Sequence, residues 1–412
     1  MIKRILFLIF FCSVTLSLTF GNPVKREIQS GKFEREYLLY TPNNPKYDKP
    51  EGLIVCLHGF NRTMNDFFND YNLSETADSL NFIIVAPQAL PEQEKDVIDA
   101  ANTIKVTTGY DIPLNSVWGC GLRVKADMKL LGIYITLLNE VLNKNIDDVS
   151  FIESIINKTI DEYSMKHENV FIFGTSMGGY MSYQFAAKKG DKLSGLISAA
   201  GSMGLAIQGT ENNLKVPVCD FHSITDEVVP YSGILNKYGL RISLAKSKKE
   251  VLNHWTKVNN TLEPVSEDIH YYPSTNEISV KKITYPDPIY EVIHYKIDGA
   301  DHSYFFRKEN GDCMDHREEI VKFINAHSTK DQTGISNIQS QNLAIYPNPA
   351  KDIIYVNIPE GAATIYNYNG KICLQQKFQS GQIDVSALNN GIYFIQIQTV
   401  QTKQSSKIII NR

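Results

Sequence analysis

Beyond its first twenty residues the sequence has no long uninterrupted hydrophobic run, so no later segment reads as a transmembrane helix and no stable membrane insertion is expected. Neither charge sign dominates: 41 Lys and Arg stand against 45 Asp and Glu, a formal net charge of −4. That balance supplies no strong field to recruit nucleic acid or an anionic lipid surface. Metal-ligand spacing is also missing, with no C-x-x-C pair and no H-x-x-x-H, and neither a metal nor a cofactor is expected. No internal repeat of solenoid length is visible. Cysteine is sparse: there are six, and removal of Cys12 with the N-terminal segment leaves five, an odd number that cannot all pair. Cys56 and Cys219 lie in apolar strand-like runs and read as small core residues. Cys120 and Cys313 sit in Gly-rich or polar stretches, which leaves a disulfide between them open.

The 412 residues, 43% hydrophobic and 10% aromatic, are enough for one large core and a smaller second domain. Met1-Ile-Lys-Arg4 followed by the apolar stretch from Ile5 to Phe20 has the form of a secretory signal peptide, assigned to residues 1–21. Arg35–Pro42, Gly52–Leu57, Asn81–Pro87 and Val170–Gly174 read as strands, three of them continuous apolar runs. Helix-length segments separate them, which implies a mostly parallel sheet covered on both faces, an α/β fold over residues 22–327. Phe151, Ile152, Ile155, Ile156, Ile160 and Tyr163 share one helical face, and Ser150 with Glu153 has capping-box spacing. The apolar segment from Leu130 to Leu142 is expected to form an extra helix, and the stretch from Gln88 to Asp147 is a candidate wall or lid. Residues 328–342 are rich in Ser, Thr, Gln, Asn and Asp and read as a linker. Short alternating strands with Asn-Gly turns then indicate a small all-β sandwich over residues 343–412.

Gly174-Thr-Ser-Met-Gly178 follows a strand and precedes a helix, the setting of a nucleophile elbow in which a sharp turn lifts the Ser176 hydroxyl above the sheet. A serine hydroxyl is a weak nucleophile at neutral pH, so it needs a base to take its proton and a carboxylate to orient that base. Asp226 and His302 both lie just past strand ends, in the chain order Ser, acid, His of the α/β-hydrolase fold. Glu227 is the competing acid, beside an apolar Val-Val-Pro stretch; Asp301 is expected to shape the loop of its neighbour His302. His222 and His294 fall within strands and read as packed or hydrogen-bonded, His58 as structural, and His316 as solvated. A developing oxyanion calls for preorganised backbone N–H groups, and the candidates are those of Met177 and Phe60.

Arg35-Glu-Tyr-Leu-Leu-Tyr-Thr-Pro42, Leu57-His-Gly59, Ile83-Ile-Val-Ala-Pro-Gln88, Asp147–Ile152 and Gly174–Gly179 together resemble the polyhydroxybutyrate-depolymerase and feruloyl-esterase group of α/β hydrolases. The resemblance covers most of Lys25 to His327. It implies a serine carboxylic-ester hydrolase whose triad falls on Ser176, Asp226 and His302. The implied substrates are acetyl or feruloyl esters of plant polysaccharide, with polyhydroxyalkanoate polyester as the alternative and an inactive surface binding protein as the non-enzyme rival. Two departures stand out: His222-Ser-Ile-Thr225 replaces the family's His-Gly-Thr, and Asp301-His-Ser-Tyr-Phe305 replaces Gly-His followed by Trp-Pro. Tyr346-Pro-Asn-Pro-Ala-Lys-Asp352, Ile383–Leu388, Asn390-Gly-Ile-Tyr393 and Lys407-Ile-Ile-Ile410 resemble the type IX secretion sorting domain. That implies the secretion machinery as a partner and a secreted or cell-surface location in a Gram-negative bacterium.

Overall fold

The computed structural model describes residues 22–43, 49–108, 111–130, 132–237, 240–274, 277–302, 304–329, 345–356, 358, 360–367, 371–398 and 403–412. The expected signal peptide and nearly all of the expected linker lie outside the described residues. The chain divides into two units, residues 1–330 and 331–412. Thr329 exchanges hydrogen bonds with the Asn169 side chain, which ties it to the larger unit rather than to a linker.

In chain order the larger unit contains β1 (Val24–Ser30), β2 (Phe33–Tyr40), β3 (Gly52–Leu57), α1 (Met64–Asp70), α2 (Leu73–Leu80), β4 (Phe82–Pro87), α3 (Lys95–Thr108), β5 (Arg123–Leu130) and β6 (Ile133–Val141). It continues with α4 (Asp148–Tyr163), β7 (Val170–Thr175), α5 (Met177–Lys189), β8 (Gly195–Ala199), β9 (Val218–Ser223), β10 (Ile234–Lys237), β11 (Leu240–Ser243), α6 (Lys248–Asn259), β12 (Val265–Asp268), β13 (Ser279–Tyr285), β14 (Val292–Asp298) and α7 (His316–His327). Ten strands form one sheet in the order β1-β2-β4-β3-β7-β8-β9-β14-β13-β12. The six from β4 to β14 run parallel, and antiparallel strands extend both edges. This is the α/β-hydrolase fold.

The apolar runs behave as strands buried on both faces. Leu53, Val55 and Leu57 pack into one cluster with α4, α5 and α6, while Ile54 and Cys56 join α1, α2 and α7 in the other. The two-residue period of a strand sends alternate side chains to opposite layers, so each layer receives its own set. Helix starts are fixed locally: Thr63 with Asp66 and Ser247 with Glu250 form capping boxes at α1 and α6. At α4 the cap is Asp147, whose carboxylate accepts the Ser150 N–H, so the capping box expected at Ser150 and Glu153 does not form.

The expected helix from Leu130 to Leu142 is instead the hairpin β5–β6, part of a second, four-stranded sheet in the order β10-β11-β5-β6. Ile133-Tyr-Ile-Thr carries β-branched and aromatic residues, and Gly132 supplies a positive φ of 86° at the turn. The Cys120–Cys313 disulfide is also absent. Both thiols are free and buried, one in each core cluster, with the sheet between them.

The smaller unit has β15 (Ile345–Tyr346), β16 (Ile353–Val356), β17 (Glu360–Tyr366), β18 (Ile372–Gln379), β19 (Gln382–Asp384), β20 (Gly391–Gln398) and β21 (Lys403–Ile410). These make two antiparallel sheets, β15-β16-β19 and β18-β17-β20-β21, around Ile354, Ile365, Ile383, Ile395, Ile397 and Ile408.

Candidate active site

All six residues of β7 are buried, and the strand turns directly into α5 at Ser176. Ser176 has φ 52° and ψ −122°, a conformation that a side-chain-bearing residue adopts only when its surroundings hold it there. Its N–H donates to the Ala199 carbonyl, which anchors the turn to β8. The flanking glycines are steric requirements. A Cβ on Gly174 would lie 2.1 Å from the Gly178 oxygen, and one on Gly178 would lie 2.0 Å from the Leu57 oxygen. Backbone on both sides leaves nothing to move aside, so the hydroxyl is lifted over the sheet only with glycine at both places.

The C-terminal ends of β7, β9 and β14 bring three distant side chains together. His302 Nε2 stands 2.9 Å from Ser176 Oγ, and His302 Nδ1 stands 2.7 Å from Asp226 Oδ2. The other carboxylate oxygen, Oδ1, accepts the N–H groups of Val228 and Val229, both at 2.8 Å. Asp226 is buried. Burial works to raise its pKa, but the hydrogen bond and charge of His302 and the Val229 N–H outweigh it and hold the carboxyl below its ordinary value of 3.8. Glu227 is exposed and Asp301 lies on the exposed side of the loop; it is the Asp226 carboxylate that reaches the ring.

Met177 opens α5, and Phe60 follows β3 by three residues at the edge of the same cavity. The N–H groups of both are free of hydrogen bonds to other described groups. The loop carrying Phe60 is braced from behind: Trp118 Nε1 donates to the His58 carbonyl at 2.9 Å, and the Asn61 N–H to the Ser116 carbonyl at 2.9 Å. His58 Nε2 accepts the Ala89 N–H, so its Nδ1 donates to the Gly59 carbonyl; burial pushes its pKa down to about 4 and the ring is neutral. His58 thus holds the loop in shape.

A cavity of about 600 Å³ opens over Ser176 and His302. Its walls include Phe60, Phe67, Tyr71, Phe221, Tyr304 and Phe305. No described residue between Gln88 and Asp147 lines it, so that segment acts as packing and as the brace at Trp118 rather than as a wall or lid. His316, expected in solvent, is 1% exposed and lines the cavity floor, covered by Phe221, Phe305 and Phe306. Phe67, Tyr71 and Phe221 carried no mark in the sequence as cavity residues, because they come from segments distant in the chain from Ser176.

His222 and His294 are buried and hydrogen-bonded. Beneath the site Asp220 takes Lys248 Nζ at 2.8 Å, His294 Nδ1 at 2.8 Å and the Tyr183 hydroxyl at 2.9 Å. Burial alone would raise the Asp220 pKa; Lys248 and His294 hold it well below the carboxylate range. His222 spans the carbonyls of Gly201 and Val229 and lies 3.6 Å from Asp226. Its spacing of four residues before Asp226 was the one available sequence signal for that proximity.

Comparison with known proteins gives two separate matches. Residues 140–271, which carry Ser176 and Asp226, match the phospholipase/carboxylesterase family, and residues 344–411 match the secretion system C-terminal sorting domain. Two curated relatives are probable feruloyl esterase C from Aspergillus flavus and from Aspergillus oryzae, each 24% identical over 213 residues and covering 50% of this chain. The match spans 61% of the length of those relatives. An acetyl xylan esterase from Aspergillus awamori is similar in structure at 12% identity and a TM-score of 0.47, covering 74% of this chain and 99% of its own.

Proposed function

We propose that this chain is a secreted serine carboxylic-ester hydrolase working through an acyl-enzyme, in which Ser176 is the nucleophile, His302 the general base and Asp226 the acid that orients it. The observation that carries the reading is the continuous line from Asp226 Oδ2 through both His302 nitrogens to Ser176 Oγ, at 2.7 and 2.9 Å, at the mouth of a cavity. Asp226 accepts from Nδ1–H, which leaves Nε2 with a lone pair for the serine proton. Ser176 Oγ attacks the ester carbonyl as Nε2 takes that proton, and the N–H groups of Met177 and Phe60 meet the oxyanion. His302 then returns the proton to the leaving alkoxide, and water, activated by the same ring, releases the acid.

Acetyl or feruloyl esters on plant polysaccharide are the proposed substrates, supported by the aromatic cavity and by the names of the curated relatives; polyhydroxyalkanoate is the alternative. The matched sorting domain supports export by the type IX secretion machinery, with residues 1–21 as signal peptide, 22–330 as catalytic domain, 331–342 as linker and 343–412 as sorting domain. The test is hydrolysis of p-nitrophenyl acetate by the parent beside Ser176→Ala, followed by acetylated xylan, feruloylated sugars and polyhydroxybutyrate. Turnover that vanishes in the variant supports the proposal; equal rates at background refute it and favour a binding protein on a hydrolase fold.

A further inference from the structure

One polar group in the cavity is left unused by the triad. The Phe306 N–H donates to His316 Nδ1 at 2.7 Å, and the His316 N–H returns a bond to the Phe306 carbonyl at 3.1 Å. That reciprocal pair fixes the ring and its tautomer: with Nδ1 an acceptor, a neutral ring carries its proton on Nε2. Burial pushes the His316 pKa down to about 3, so the ring is neutral at any working pH. Phe305 stacks on it at 4.5 Å and 18°, and the Phe221 ring lies 4.5 Å away at 51°. Among the described residues none pairs with Nε2.

Several other polar groups around the cavity already have partners. His222 faces two carbonyls, Ser223 Oγ donates to the Ala300 carbonyl, and Arg62 is paired with Asp70 at the half-exposed rim. The His316 Nε2–H is set among aromatic rings: Tyr71 meets Phe305 edge-on at 4.5 Å and 88°, and Phe60, Phe67 and Tyr304 complete the walls. A pocket that combines flat apolar walls with one fixed donor selects a flat ligand carrying one acceptor. We propose that His316 is a specificity-determining residue whose Nε2–H donates to an oxygen, hydroxyl or methoxyl, on the aryl ring of an ester substrate. This rests on the esterase reading above. The ring can belong to the acyl part or to the alcohol part, and the test separates the two.

The assay compares kcat/KM for methyl 4-hydroxycinnamate and methyl cinnamate, which vary the acyl side, and for 4-hydroxyphenyl acetate and phenyl acetate, which vary the alcohol side. The parent is expected to favour the hydroxylated ester about tenfold in one of the two pairs, mainly through KM. His316→Asn keeps an acceptor near the Nδ1 position for the Phe306 N–H and removes the donor at Nε2, so the preference should fall about tenfold. The parent's ratio is decisive even where the variant does not fold. Equal kcat/KM within both pairs overturns the inference, as does an unchanged ratio in His316→Asn. Ser176-dependent hydrolysis of p-nitrophenyl acetate alongside such indifference leaves the esterase reading standing; no Ser176-dependent hydrolysis of any ester overturns both.

Discussion

Replacing Asp226 with asparagine tests the site through the hydrogen bonds that orient the carboxylate. Oδ1 accepts two backbone N–H groups, from Val228 and Val229, and only an oxygen can occupy that position. The amide introduced by Asp226→Asn is therefore forced to place its NH2 where Oδ2 stood, facing His302 Nδ1 at the 2.7 Å contact. Two donors cannot share that contact, so the ring must keep its proton on Nε2, where it points at Ser176 and cannot accept. The expected loss in kcat is about 10⁴-fold, by analogy with the same change in serine proteases, or about 5.5 kcal/mol of transition-state stabilisation at 1.36 kcal/mol per decade. Initial rates on p-nitrophenyl acetate measure it, with far-UV circular dichroism to check the fold. Glu227→Gln should stay near the parent rate because that carboxylate is exposed. A loss below tenfold in Asp226→Asn, or a larger loss in Glu227→Gln, would refute the assignment of the acid.

Other expectations concern stability and export. Asp148→Ala strips the buried Arg35 guanidinium of its 2.8 Å partner and the Gly119 N–H of its acceptor, and should cost about 3–5 kcal/mol in a urea titration. Gly178→Ala puts a methyl group against the Leu57 carbonyl and should yield no soluble folded protein. His58 and His316 are held neutral by burial, at about 4 and about 3 against an ordinary 6.5. Below pH 6.5 the unfolded chain takes up protons that the native state refuses, so stability is complete above that pH and falls as the pH drops toward 4, by on the order of 3 kcal/mol for each ring. Asp226, depressed below 3.8, loses its own contribution only at lower pH still. A melting temperature that stays flat from pH 7 to 4.5 would contradict this burial. A chain ending at Lys330 should keep its hydrolytic activity but remain inside the producing cell, as a western blot of cell and medium fractions would show.

Features set by neighbours in the chain were legible from the sequence. The elbow is one: Gly174, Ser176 and Gly178 lie within a single turn, and the glycine requirement is local. The meeting of Asp226 and His302 with Ser176 could be expected because an open parallel sheet gathers its strand C-terminal ends, and both residues follow strands. The hairpin β5–β6 was not legible, since the mixed apolar segment from Leu130 to Leu142 fits a helix or a strand, and the pairing of β5 with β6 and β11 decides between them. His316 looked solvated because it follows acidic residues, yet the Phe306 N–H and the rings of Phe221 and Phe305 bury it, and no pattern in the sequence brings those groups together.

The central claim is that Ser176 is an activated nucleophile, and covalent trapping by diisopropyl fluorophosphate tests it most directly. Attack by Ser176 Oγ on phosphorus expels fluoride and leaves one diisopropylphosphoryl group per chain, which intact-mass and peptide analysis should place on the peptide containing Ser176. Ser176→Ala should remain unmodified. An unmodified parent, or an adduct on any other residue, would contradict the account.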